Sequence, residues 1–330
     1  MKERKDDMMV TVCVVTYNQE QWIRQTLDSI LAQETEFPFE VIIGEDHGTD
    51  GTRAICEEYV KRVESRELRV ESRGLQGIKL LPSTENLGVT ANWIQCVQAG
   101  TGKYIMSCAG DDWWHNPHKI QLQVDFMEDH PECVMCHTDI DEFHENTGIL
   151  KRSINKSKGV VPPEGRIQKE ILIGRSNISA VTMCIRKETF EKYVPADEFA
   201  RRRFPREDWP TLLVLAAHGD IRYIPESTAT YRVEQESITR TSNYEKIFKR
   251  AQQDKEMTEY LYTLFPEWGP FKDGPYFDNI GYHNALYAAY RNNDYAAARK
   301  FAKEDKIRSW VTICARYWVT FKLYRWLKGV

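Results

Sequence analysis

The chain has 330 residues, 42% of them hydrophobic and 28% charged, with a formal net charge of −4. That length holds one large domain with an appendage or two modest domains, and the charge gives no electrostatic ground for a nucleic-acid partner. The N-terminal MKERKDDMMV lacks the apolar core of a secretory signal, and no run of about 18 apolar residues is there to span a bilayer.

In chain order, MVTVCVVT (residues 9–16) is a near-continuous β-branched run and predicts a strand buried on both faces. EQWIRQTLDSILAQ follows with apolar residues at Trp22, Ile23, Leu27, Ile30 and Leu31, a helical stripe. FEVIIGED predicts a second strand, DGTRAICEEYVKRV a helix, IKLLPS a strand, VTANWIQCVQAG a helix, and KYIMSCAG a fourth strand. HKIQLQVDFMEDHP reads as a helix and CVMCHTDI as another strand. Strands alternating with helices imply βαβ units and a mostly parallel sheet, an α/β fold. The segment RVESR occurs twice (Arg62–Arg66 and Arg69–Arg73) and reads as a solvated helix extension.

Residues 139–180 are polar and read as irregular, after which a helix (Trp209–His218), a strand (IRYIPE) and a polar segment (Val233–Asn243) complete the first body. From Tyr244 the pattern is helical throughout, which divides the chain into 1–243 and a helical extension, 244–330. The tail IRSWVTICARYWVTFKLYRWLKGV has five basic residues, no acids and tryptophans at 310, 318 and 326. Peripheral attachment to an anionic membrane and packing as an ordinary helix, on the main body or in a dimer, both suit it. The eight cysteines are scattered, and Cys133 and Cys136 form a lone C-x-x-C that fits a buried strand better than zinc. Reduced thiols and a cytoplasmic address follow.

Ligands of open parallel sheets bind beyond the carboxyl ends of the strands. Here those ends are Thr16-Tyr17-Asn18, Glu45-Asp46, Asn86-Leu87-Gly88 and Asp111-Asp112, all polar. Each has a bland use as a turn or helix cap; their coincidence on one rim argues for a ligand. No G-x-G-x-x-G and no Walker A loop is present, so phosphate charge would fall to a hard cation, Mg²⁺ or Mn²⁺, recruited by the adjacent carboxylates Asp111 and Asp112.

The stretches VCVVTYNQEQWIRQTLDSILAQ, VIIGEDHGTDGT, ENLGVTANW, GKYIMSCAGDDWWHNPHKIQLQVDF and REDWPTLLVLAAHGDIRYIPESTATYRVEQESIT, taken in order over residues 9–240, resemble the family 2 glycosyltransferases. These are inverting, nucleotide-sugar-dependent enzymes with the A-type glycosyltransferase fold. The resemblance implies that Thr16, Tyr17 and Glu20 cradle the nucleoside and that Asp46 meets the imide edge of the base. It implies that Asn86 and Asn92 line the pocket, and that Asp111 and Asp112 are the ribose and metal carboxylates. Asp208, in REDWP, matches the general base, with Glu207 beside it. Two departures stand out: Ala109 occupies a position where the family often has a further acid, and Glu234 one where related sequences often have a histidine ligand. A glutamate is itself a hard oxygen donor, so Glu234 reads either as a metal ligand or as an exposed lid residue. Arg232 and Arg240 are cations available to phosphate, while Trp113, Trp114 and Trp209 suit sugar stacking or wall packing alike.

The implied reaction moves a sugar from a UDP- or dTDP-sugar to a hydroxyl of a glycan or lipid-linked acceptor at the cytoplasmic face of the inner membrane, in polysaccharide biosynthesis. Two other classes compete: a sugar-phosphate nucleotidyltransferase and a non-catalytic nucleotide-sugar or glycan-binding module. The first needs a Gly- and Arg/Lys-rich loop after strand one, where this chain has TYNQEQW; Asp112 and Asp208 speak against the second.

Overall fold

The computed structural model describes residues 7–65, 74–172, 176–234, 241–269, 276–305 and 309–328. The second RVESR copy and Arg240 lie outside that set, as does the side chain of Trp326. The chain divides into two compact units, Met1–Val233 and Glu234–Val330.

In the first unit, β1 (Val10–Thr16), β2 (Phe39–Glu45), β3 (Leu75–Leu80) and β4 (Tyr104–Ala109) alternate with α1 (Ile23–Leu31), α2 (Thr52–Glu64) and α3 (Val89–Ala99). The four strands pair in parallel in the order β3-β2-β1-β4, so the winding reverses between β1 and β4. All seven residues of β1 are buried. Val10, Val12 and Val14 join Ile23, Leu27 and Ile30 of α1 in the principal core, each fully buried aliphatic stabilising by about 1.5–3 kcal/mol. Thr11 and Cys13 point the other way, Thr11 accepting from the Gly102 amide at 2.9 Å on the side covered by α3. Helices on both faces explain why the sequence reads as a continuous apolar run.

Beyond β4 the architecture departs from simple alternation. After α4 (Lys119–Asp129), β5 (Cys133–His144) runs four residues past the predicted end and turns back into β6 (Ile149–Lys151). The cause is a pair of buried aspartates in a stretch that reads as polar loop. Asp139 accepts the amides of Ile140, Asn155 and Lys156, and Asp141 accepts the Ser153 amide and the Ser227 hydroxyl. These bonds fold α5 (Ile154–Ser157) against the strand; α6 (Gln168–Leu172), β7 (Cys184–Arg186), α7 (Lys187–Tyr193) and α8 (Ala196–Arg201) follow. β7 sits antiparallel between β4 and β5. After α9 (Asp208–His218), β8 (Asp220–Val233) pairs in parallel with β5, extending well beyond the predicted IRYIPE. Cys133 and Cys136 are buried free thiols within β5, as a strand reading requires.

The second unit comprises α10 (Tyr244–Leu264), α11 (Tyr276–Arg291), α12 (Tyr295–Glu304), α13 (Trp310–Cys314) and α14 (Trp318–Lys328). Its core gathers Leu286, Tyr290, Phe301 and Phe321. The tail is two helices rather than one: Thr320 Oγ1 donates to the carbonyls of Cys314 and Tyr317, fixing the break between them. No helix among the described residues is long and apolar enough to cross a membrane.

Candidate functional site

Three loops meet at the carboxyl edge beside the switch between β1 and β4. The loop after β1 is locked to the loop after β2 by side chain to backbone bonds. Asn18, in the left-handed region with φ 53°, accepts the Thr49 amide at 2.7 Å. Glu20 Oε2 accepts the Gly51 amide at 2.6 Å, and Asp50 accepts the Glu20 amide at 3.1 Å. Thr16 Oγ1 donates to Gln19 Oε1 at 2.8 Å. Gly110, which precedes the acidic pair, is packed so closely that a Cβ there would lie 2.4 Å from Thr16 Oγ1. Tyr17 is the large hydrophobic side chain that this group exposes, at 46%. The expected nucleoside residues Thr16, Tyr17 and Glu20 are thus on one rim. Glu20 spends an oxygen on the scaffold, a tie the sequence does not announce.

Asp46 directly follows β2 and accepts the Leu87 amide at 2.7 Å and the Gly88 amide at 2.9 Å, while Asn86 Nδ2 donates to its carbonyl at 3.0 Å. Burial raises the carboxyl above its ordinary pKa; the two amides and the Arg203 guanidinium act in the opposite direction. Each carboxylate oxygen can accept more than one hydrogen bond, so an imide N–H remains a possible partner. Arg203 has φ 50° and leads, through Phe204, to a bond from Thr90 Oγ1 at 2.7 Å. That basic turn beside Asp46 was not singled out from sequence, and the clustered RRRFPR is the signal that marks it. Asn92 lies elsewhere than expected. It is 1% exposed, with Nδ2 on the Gly44 carbonyl and Oδ1 on Gln95, so it braces β2 against α3 from beneath the rim.

At the end of β4, Asp112 is 5% exposed and Asp111 half-buried. Asp112 Oδ1 accepts the Arg232 amide at 2.9 Å, and its carbonyl accepts Thr26 Oγ1 at 2.6 Å, tying the pair to β8 and α1. Arg232 corrects a sequence-based expectation. Its guanidinium is not offered to phosphate but buried among Trp113, Trp22 and Phe143, with Trp113 at 4.9 Å. It donates to the Asp111 carbonyl at 2.8 Å, to Gln25, and to Glu145 in an ion pair. Tyr231 packs against the principal core, while Arg232 is enclosed by the aromatic rings of α1's start, the segment after β4 and β5. Trp113 therefore serves as a wall of this cage, edge-on to Phe143 at 5.8 Å, and Trp114 is core.

Two adjacent hard oxygen donors suit Mg²⁺ or Mn²⁺ when substrate phosphate and water fill the other positions. They do not make a cage on their own, and no group of three His, Cys, Asp or Glu fit to hold an ion occurs among the described residues. The residues fit a cation shared with a phosphorylated ligand.

Asp208 opens α9, half-buried, with Oδ1 accepting its neighbour Trp209's amide at 2.7 Å. Trp209 Nε1 donates to the Ile171 carbonyl at 3.2 Å, which makes it a packing residue. Glu234 follows β8 directly and is counted in the second unit.

Such a rim, with acids and amide-held loops at a switch point, defines an α/β fold that binds its ligand at the strand ends. The chain belongs to glycosyl transferase family 2: the family's model matches residues 11–194. An uncharacterised protein of Mycobacterium tuberculosis strain H37Rv is 31% identical over 226 residues, 68% of this chain and 58% of its own length. A Bacillus subtilis protein named as a teichuronic acid biosynthesis glycosyltransferase, TuaG, is 25% identical over 79% of this chain and 92% of its own. The crystal structure of S. aureus TarS with UDP superposes with a TM-score of 0.49 at 18% identity, over 98% of this chain and 92% of that one.

Proposed function

We propose that the chain is an inverting glycosyltransferase that moves a sugar from a UDP- or dTDP-sugar to a hydroxyl of a glycan or lipid-linked acceptor. The observation that carries the reading is the meeting of Thr16, Asp46 and the Asp111-Asp112 pair on one edge, beside a switch in strand order. In this reading Tyr17 and the loop pinned by Glu20 receive the nucleoside, and Asp46, steadied by the Leu87 and Gly88 amides, accepts from the base. Asn86 holds that corner closed, Asn92 holds it up from below, and Asp111 addresses the ribose. Asp112, with Asp111 and Glu234 as further donors, would hold Mn²⁺ or Mg²⁺, which when bound neutralises charge on the departing diphosphate. Asp208 takes the proton from the acceptor hydroxyl as it attacks the anomeric carbon from the face opposite the leaving group.

Residues 1–243 would form the catalytic body and 244–330 a helical extension. The name of the TuaG relative, a teichuronic acid biosynthesis glycosyltransferase, supports a role in polysaccharide biosynthesis, and in this reading the enzyme works peripheral to the cytoplasmic face of the inner membrane. The test is a panel of nucleotide sugars with and without Mn²⁺, following release of nucleoside diphosphate. Metal-dependent turnover of one donor is the expected result. No turnover and no thermal protection by any nucleotide would overturn the reading.

A further inference from the structure

Half of the large hydrophobic side chains exposed among the described residues crowd into α13, α14 and the turn between them: Trp310, Ile313, Tyr317, Trp318, Leu323 and Leu327. Trp310 is 77% exposed, more than packing alone calls for. They are not scattered. Trp310, Leu323 and Leu327 line one groove of about 580 Å³ together with Tyr324 and Lys328. Lys328 is part of that lining, and the same segment exposes two further cations, Arg316 and Lys322, the latter 5.8 Å from the Trp318 ring and donating to Asn293 at 3.0 Å. Residues 309–328 contain no acid. Arg325 is the cation turned inward, donating to the carbonyls of Tyr290 and Arg291, and so anchors α14 with this face outward.

We propose that this face docks onto an anionic phospholipid bilayer. The inference deepens the peripheral placement argued above and does not depend on the chemistry of sugar transfer. Helices of 5 and 11 residues are too short to cross a bilayer, for which about 20 are needed. They suit a position in the interface, aromatic and aliphatic side chains entering the acyl boundary and Lys or Arg meeting headgroup phosphate. Trp and Tyr favour that boundary because their rings are apolar at one end and polar at the other. A second copy of the chain is the poorer occupant. A two-fold contact would set this cationic face against itself, with no acid within it to answer the charge.

The experiment uses the full chain and two kinds of vesicle, phosphatidylcholine alone and phosphatidylcholine mixed with phosphatidylglycerol, read by co-sedimentation at low and high salt. The expected result is binding to the mixed vesicles only, weakened by salt. Charge reversal at Arg316→Glu, Lys322→Glu and Lys328→Glu should lower vesicle binding by on the order of a hundredfold. These side chains are exposed, so circular dichroism and the melting temperature should stay at the wild-type values. Trp310→Ser with Leu327→Ser should reduce binding without altering its salt dependence. Binding to neither vesicle overturns the proposal, as does binding that both variants retain. So does a stable dimer in solution that the Trp310→Ser, Leu327→Ser variant splits. Nucleotide-sugar turnover in lipid-free solution is a separate reading; its failure would indict the proposed chemistry and leave vesicle binding as it stands.

Discussion

Asp112 and Arg232 show how much of a site can rest on one backbone bond. The Arg232 amide fills one oxygen of Asp112 while the Arg232 side chain supports the Asp111 carbonyl. Replacing the side chain, as in Arg232→Met, leaves the amide but removes the cation from its aromatic cage and orphans buried acceptors. The expected cost is about 2–4 kcal/mol of stability, read by urea denaturation, with weaker metal dependence in what remains folded. Asp208→Asn tests the opposite case, a group whose loss should spare the fold. Transfer should fall by roughly 10²–10⁴-fold with nucleotide affinity unchanged; full transfer by this variant would remove Asp208 from the role of base. The acids were legible because each ends a recognisable strand or starts a helix. Arg232 was misread because its burial depends on β8, a strand the sequence shows only in part.

At the scale of elements, β1, β2, β4 and the helices between them could be read from periodicity, since burial on both faces writes unbroken apolar runs. The far half of β5, with β6 and β7, could not. There the buried partners of the backbone are the carboxylates of Asp139 and Asp141, and acids in a polar stretch look like loop. Their importance can be measured. Asp139→Ala strands the amides of Ile140 and Asn155 in a buried place and removes the acceptor of the Lys156 amide beside them, so a loss of about 3 kcal/mol is expected in denaturant titration. Gly110→Ala acts through the link between β4 and the first loop. Its methyl group would press on Thr16 and Gln19, so nucleotide affinity should drop more than melting temperature does.

For the molecule as a whole, acid should be felt through His137. Burial pushes it down to about 4, against an ordinary value of 6.5, beside Tyr223 at 5.1 Å. Because the neutral ring is the form that fits, stability is complete above pH 6.5 and drains away as pH falls toward 4. Up to about 3 kcal/mol is at stake. His137→Phe should flatten that part of the profile in urea titrations between neutral pH and about pH 4.5; an unchanged slope would place the acid sensitivity elsewhere.

The eight free cysteines give the fold a built-in clock. Seven are buried and Cys314 is half-exposed, and burial holds thiols such as Cys13, Cys108 and Cys184 protonated as well as out of reach. A chromogenic disulfide reagent should therefore consume one thiol quickly. The others wait for the sheet to open, so their reaction rates time the breathing of the first unit. A ligand that closes the rim should slow Cys108, one residue before Ala109, without touching Cys314. A single colour change would then separate motions of the strand-end rim from those of the helical unit.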